Sequence, residues 1–189
     1  MWTTTLNKIL SRDPCEGGWY ELLQSLNKTR ADDVPISLGY ILKSNGLEDA
    51  IWALRTVNGH DKEIRLFAVR CARQVQHLMS DPRSIQALDV AERFATGQAR
   101  NEERTRARLL ALAAIQDAAG LETIHASSAA FYTLGANAAA AASLVFSLVD
   151  KALNHIHKSS RGERGSIARA SFRSNQINYF LTMVGEDSE

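Results

Sequence analysis

The segment HDKEIRLFAVRCARQV, which begins at His60, sets Cys71 among arginines. A thiol flanked by cations is the arrangement that lowers a cysteine pKa and produces a nucleophile or a redox centre. Helical geometry points the other way. At about 100° per residue, Ile64, Phe67, Ala68, Cys71, Ala72, Val75, Leu78 and Met79 gather on one side, and Lys62, Glu63, Arg65, Arg70, Arg73, Gln74, Gln76 and His77 on the other. The arginines are neighbours of the thiol in sequence and not in space, so Cys71 is expected in the core with a raised pKa. Leu66 and Val69 fall inside the polar arc. Either a second layer covers them or they belong to a contact surface, and with several more helices to place, coverage is the simpler reading.

The remaining candidates for chemistry thin out under the same test. Of five histidines, His155 and His157 are two apart and diverge by about 200° on a helix, while His60, His77 and His125 have no H-x-x-x-H or E-x-x-H partner nearby. No metal or cofactor site is expected. There is no G-x-G-x-x-G, phosphate-loop or G-x-S-x-G pattern, and the acidic pairs Asp32/Asp33, Glu48/Asp49 and Glu102/Glu103 stand where helices begin, as the helix dipole favours. No catalytic residue set is assembled, and a non-enzymatic protein is expected. One charge concentration is cleaner than the rest: Lys158, Arg161, Arg164, Arg169 and Arg173, with Lys151 just before them, are opposed only by Asp150 and Glu163. That density suits an acidic partner or phosphates, although no aromatic stacking platform accompanies it, so nucleic acid is a possible partner and not the favoured one.

The elements that must position these residues are helices. Alanine and leucine recur at three- and four-residue spacing from Leu47 onward, and period-two alternation of β-branched residues is almost absent. Three prolines, Pro14, Pro35 and Pro82, lie at element boundaries, and none follows Pro82. Gly17 and Gly18 precede WYELLQSL, and SNG at Ser44–Gly46 separates two short helices. Asp81 followed by Pro82 reads as an N-cap with proline at the first helical position, and Asn101 with two glutamates after it reads as another helix start. A helix after Asn137 reaching about His157, and a last one from about Ser166 to Val184, complete the chain. The reading is all-α: a single-domain helical bundle of about seven to nine helices over residues 1–189.

With 22 Lys and Arg against 21 Asp and Glu, the net charge is +1, which gives the whole molecule no electrostatic preference for nucleic acid or an anionic membrane. Two cysteines and the absence of a signal-peptide pattern at MWTTTLNKIL point to a cytoplasmic protein. The uncharged stretch from Ala126 to Val149 is long enough to span a bilayer, but Gly135, Asn137 and repeated serines and alanines make it a poor one, and no membrane association is expected.

The segments CEGGWYELL at Cys15, LEDAIWALR at Leu47 and RLFAVRCAR at Arg65, with Pro82, Arg83, Ala87, Ala91, Arg93, Phe94 and Gly97, resemble the Imm-5-like immunity-protein family, an all-helical group found in bacteria and phages. Residues 1–100 carry the best match. In residues 101–189 the likeness is an alanine-rich helical region ending in SFRSNQINYFLTMVG with Gln176. The resemblance implies an inhibitor that neutralises a cognate protein, such as a toxin, by stoichiometric binding, and it carries over no active site. Its phage association implies an alternative, an anti-defence (anti-CRISPR-like) protein binding a host immune complex, with nucleic-acid contacts through the basic C-terminal segment. The partner-binding candidates are therefore Lys158, Arg161, Arg164, Arg169 and Arg173, with Leu66 and Val69.

Overall fold

Asp81 and Pro82 act as their order implies. Asp81 has extended backbone, its Oδ1 accepts the Arg83 N–H at 2.8 Å, and Pro82 opens a helix where its missing donor is no loss. A computed structural model describes the backbone of residues 1–159 and 163–186, and the side chains of residues 1–156 and 166–186. Among the described residues there are ten α-helices and one two-stranded sheet, so the all-α class expected from the sequence is the class observed. Contacts divide the chain into two compact units.

The first unit comprises Met1–His60 and Ile177–Glu189. It holds β1 (Thr3–Thr4), α1 (Leu6–Leu10), α2 (Glu16–Ser25), β2 (Ile36–Ser37), α3 (Leu38–Asn45), α4 (Leu47–Ala53) and the end of α10 (Glu163–Val184). β1 and β2 pair antiparallel, with Thr3 opposite Ser37 and Thr4 opposite Ile36. Two-residue strands are too short to leave a period-two signal, so the sequence gives no sign of them. Trp2 continues the pairing: its N–H donates to the Val184 carbonyl at 2.7 Å and its carbonyl accepts the Leu38 N–H at 3.0 Å. Gly17 and Gly18 do not precede α2 as expected but lie inside its first turn. Gly18 is there because a Cβ would run into the Asp49 carboxylate. Gly46, at φ 88°, makes the break between α3 and α4 that a side chain would resist.

The second unit, Asp61–Gln176, contains α5 (Asp61–Arg73), α6 (Pro82–Ala95), α7 (Asn101–Gln116), α8 (Leu121–Thr133), α9 (Ala138–Ser159) and α10 as far as Gln176. α5 packs against α6, α8 and α9, and α7 against α6 and α8. The apolar stripe read on the Cys71 segment is buried from Ile64 to Val75, but the α-helix stops at Arg73. Beyond it the Gln74 and Val75 N–H groups bond three residues back, to Cys71 and Ala72, and the chain tightens into a 3-10 turn over Gln76–Leu78. Met79 is still buried. Gly120, at φ 87°, stands directly before α8.

Cys71 is fully buried, and burial pushes its thiol well above the usual range, which leaves it a core residue without nucleophilic character. Its Sγ donates to Gln176 Oε1 at 3.4 Å. Gln176 is fully buried as well, and its Nε2 has no hydrogen-bond partner among the described residues.

Arg65 departs most from the sequence reading. Assigned to the polar face, it is only 4% exposed, and its guanidinium donates to the carbonyls of Thr133 at 3.1 Å, Gly135 at 2.7 Å and Ala136 at 3.3 Å. Arg104 Nη1 donates to the carbonyl between them, Leu134, at 2.8 Å. Carbonyls 133 to 136 thus each have an arginine donor, where a helix end would otherwise leave them unpaired against one another. Both guanidiniums lie 5.1 Å from the ring centroid of Phe94. Burial and the neighbouring charge of Arg104 pull the Arg65 pKa down, and Asp61 opposes them, but a guanidinium keeps its proton.

Replacing Arg65 with Met leaves three buried or half-buried carbonyls without donors and is expected to cost about 3 kcal/mol, with Arg65→Lys recovering about half. Urea denaturation checks it. Gln176→Met removes a buried amide whose NH2 group is unpaired, at nearly constant volume and with the loss of only the weak thiol hydrogen bond, so the same measurement should show stability unchanged or raised by about 1 kcal/mol.

Candidate functional site

The sequence NEERTRARLLALAAIQ folds as α7 with its small residues inward. Ala107, Ala111 and Ala114, at the i, i+4, i+7 spacing of one helical face, are buried. Alanine faces let helices approach closely, and α7 lies close against α6 and α8 on that side. The larger side chains turn outward: Leu109 is 66% exposed, Leu110 41% and Leu112 42%. An ordinary surface helix has the reverse arrangement. Leu109 and Leu112, three apart, lie side by side, and Leu110 lies about 100° round the helix from Leu109. Leu110 borders a groove of about 320 Å³ whose other walls include Val90 and Arg83 of α6 and Arg106 of α7.

Exposed arginines of α7 flank this face, and Arg83 and Glu103 beside it are paired. Arg106 and Arg108 are exposed, and Arg108 holds its guanidinium 4.3 Å from the Phe131 ring centroid. Arg83 bridges Asp81 and Asp117, each at 2.5 Å, and Glu103 is paired with Arg93. Fully burying one exposed leucine is worth about 1.5–3 kcal/mol, so the outward face of α7 holds several kcal/mol that only another surface can release. An apolar centre with a basic rim suits an acidic segment that carries apolar side chains.

The residues proposed from sequence are distributed differently. Val69 is 3% exposed, so a second layer covers it and it offers nothing to a partner; Leu66 is half-buried. Arg169 grips Asp150 of α9 with two bonds, Nε to Oδ1 at 2.7 Å and Nη2 to Oδ2 at 2.6 Å. Arg173 reaches the same carboxylate at 3.5 Å and lies 5.6 Å from the Phe146 ring centroid. These two arginines therefore join α10 to α9. Arg161 and the side chains of Lys158 and Arg164 lie outside the described residues. The leucine face was missed because a helical pattern with alanine on one side and leucine on the other is read by default with leucine inward. The signal available was the buried spacing of Ala107, Ala111 and Ala114.

The fold also brings together two histidines that the sequence keeps 30 positions apart. The rings of His125 on α8 and His155 on α9 stack with centroids 5.1 Å apart, and the buried Nδ1 of His125 has no hydrogen-bond partner among the described residues. Burial, then the charges of His155 and Lys151, hold the His125 pKa below the usual histidine value. Among the described residues no group of three or more His, Cys, Asp or Glu is placed to hold a metal ion. No helix among them is long and apolar enough to cross a membrane.

Comparison with protein-family models, curated proteins and solved structures returns no match for this chain.

Because the folded state binds the His125 proton more weakly than the unfolded chain, this group's contribution is complete above the unfolded pKa of about 6.5 and is lost as pH falls through the folded pKa. Stability measured by urea denaturation between about pH 7 and pH 5 should fall, and His125→Leu should flatten the dependence.

Proposed function

We propose that this protein is a non-enzymatic inhibitor of the immunity-protein kind, which neutralises a cognate protein by stoichiometric binding through the outer face of α7. The observation that carries the reading is the inverted helix, with Leu109, Leu110 and Leu112 exposed over a buried alanine face. Natural chains rarely leave adjacent leucines in water without a partner to cover them. The basic rim formed by Arg106 and Arg108 favours a partner whose contact segment is acidic and apolar, recognised as a helix in a groove or as a shallow apolar patch. A cytoplasmic site of action accords with two cysteines that are both unpaired, Cys15 exposed and Cys71 buried. The alternative, an anti-defence protein touching nucleic acid through the basic C-terminal segment, draws on Arg169 and Arg173, whose guanidiniums are engaged with Asp150.

The test is capture of a protein partner by the tagged chain from nuclease-treated lysate of its own host, followed by titration of the purified pair. A 1:1 complex is expected. Leu109→Asp with Leu112→Asp should weaken it at least about 100-fold, as loss of central apolar anchors does, while costing folding stability no more than about 2 kcal/mol, because Leu109 is mostly in water and Leu112 partly so. A complex that the double variant leaves intact, or recovery of nucleic acid alone, overturns the reading.

A further inference from the structure

The first unit contains a small pocket in which two of the segments set out from sequence, CEGGWYELL and LEDAIWALR, come together. It measures about 70 Å³, and its walls are apolar: Trp19 and Leu22 from α2, Ile41 from α3, and Trp52 from α4. Asp49 of α4 is the one charged residue among those that line it. Cys15, which precedes α2 and has an exposed thiol, stands at the same pocket.

The polar groups of the pocket decide what it accepts. The Asn45 amide spends its two N–H bonds inside the protein, donating to the Gly18 carbonyl at 2.8 Å and to Asp49 Oδ2 at 3.1 Å. Asn45 Oδ1 is taken by the Ser44 hydroxyl at 2.7 Å. Of the Asp49 carboxylate, Oδ2 is engaged by Asn45 and seated against Gly18, while Oδ1 has no hydrogen-bond partner among the described residues. Asp49 also makes no ion pair among them. Asp49 therefore offers the pocket a negative charge and an unengaged acceptor, and the donor-bearing side chains left at its walls, Trp19, Trp52 and Cys15, carry no charge. The one charge at the walls is negative, so a cationic donor gains most between the apolar surfaces. Tryptophan faces attract cations, and Trp52 already has the Arg55 guanidinium 5.4 Å from its ring centroid, outside the pocket lining. A water position needs about 10–15 Å³, so the space takes roughly five such positions, the length of a short alkyl chain with its amino group.

We propose that this pocket binds an alkylammonium group, with Asp49 as its counter-ion and Trp19 and Trp52 against its aliphatic stem. This site is independent of the leucine face of α7, and neither stands on the other. The same chemistry is offered by a free short alkylamine and by a lysine side chain of a protein.

The test is titration of the full chain with n-butylammonium, read by tryptophan fluorescence and NMR shifts, with n-butanol and butyrate as neutral and anionic controls of similar shape. Saturable binding of butylammonium in the millimolar range is expected, at least about tenfold tighter than either control, and lost to about the same degree in Asp49→Asn. Because that variant alters the contact with Asn45, the unsubstituted protein supplies a second measurement. With Cys71 buried, Cys15 is the thiol open to reagents, and a cationic methanethiosulfonate should modify it several-fold faster than an anionic one, with butylammonium slowing the reaction. Doubly blocked lysine binding as well as butylammonium supports a protein side chain as the occupant; binding of butylammonium alone supports a free amine. Equal binding of butanol, no saturation, or no charge preference at Cys15 overturns the proposal.

Discussion

The second unit depends on where the guanidinium of Arg65 finds its acceptors. A helix ends in carbonyls that point the same way and repel one another, and burying them is costly unless donors arrive from outside the helix. Arg65 comes from α5 and Arg104 from α7, and together they serve four consecutive carbonyls at the end of α8. Asn137 completes the turn by accepting the Ala140 N–H at 2.8 Å, which starts α9. The course of the chain from α8 into α9 is thus fixed by two cations from other helices, and Phe94 of α6 lies against both.

Once that end is fixed, the small residues explain the rest of the packing. α8 buries Ala126, Ala129 and Ala130, α9 buries Ala138, Ala139, Ala141 and Ala142, and α7 adds its own alanine face. Helices that meet through alanine approach closely and leave no room for leucine between them. With Arg104 of α7 bound at the end of α8, the rotation of α7 is set, and Leu109 and Leu112 are left outside. The exposed face is a consequence of the clamp and the alanines acting together.

The fold class, the start of α6 and the burial of Cys71 were legible in the sequence, because each rests on local periodicity or capping. The candidate sites were less so. The basic cluster looked available because a sequence shows charges and not their partners; Asp150, counted as a single opposing charge, takes both Arg169 and Arg173. Arg65 looked solvated because the helical wheel assigns a face by hydrophobicity, and a buried cation that serves carbonyls violates that rule. His125 and His155 had no partner within reach in sequence, and it is the packing of α8 on α9 that stacks them.

By itself the sequence determined that this chain is helical and where several helices begin, since a backbone's choice among local conformations depends on side chains a few residues away. It also determined that α7 would have an alanine face and a leucine face. Which of the two meets the protein and which meets water was decided by the tertiary structure. So was the meeting of Trp19, Trp52 and Asp49 around one pocket, since its parts come from helices separated by turns whose geometry no local pattern encodes. Local rules are short-ranged, whereas a surface or a pocket is made by residues distant in the chain.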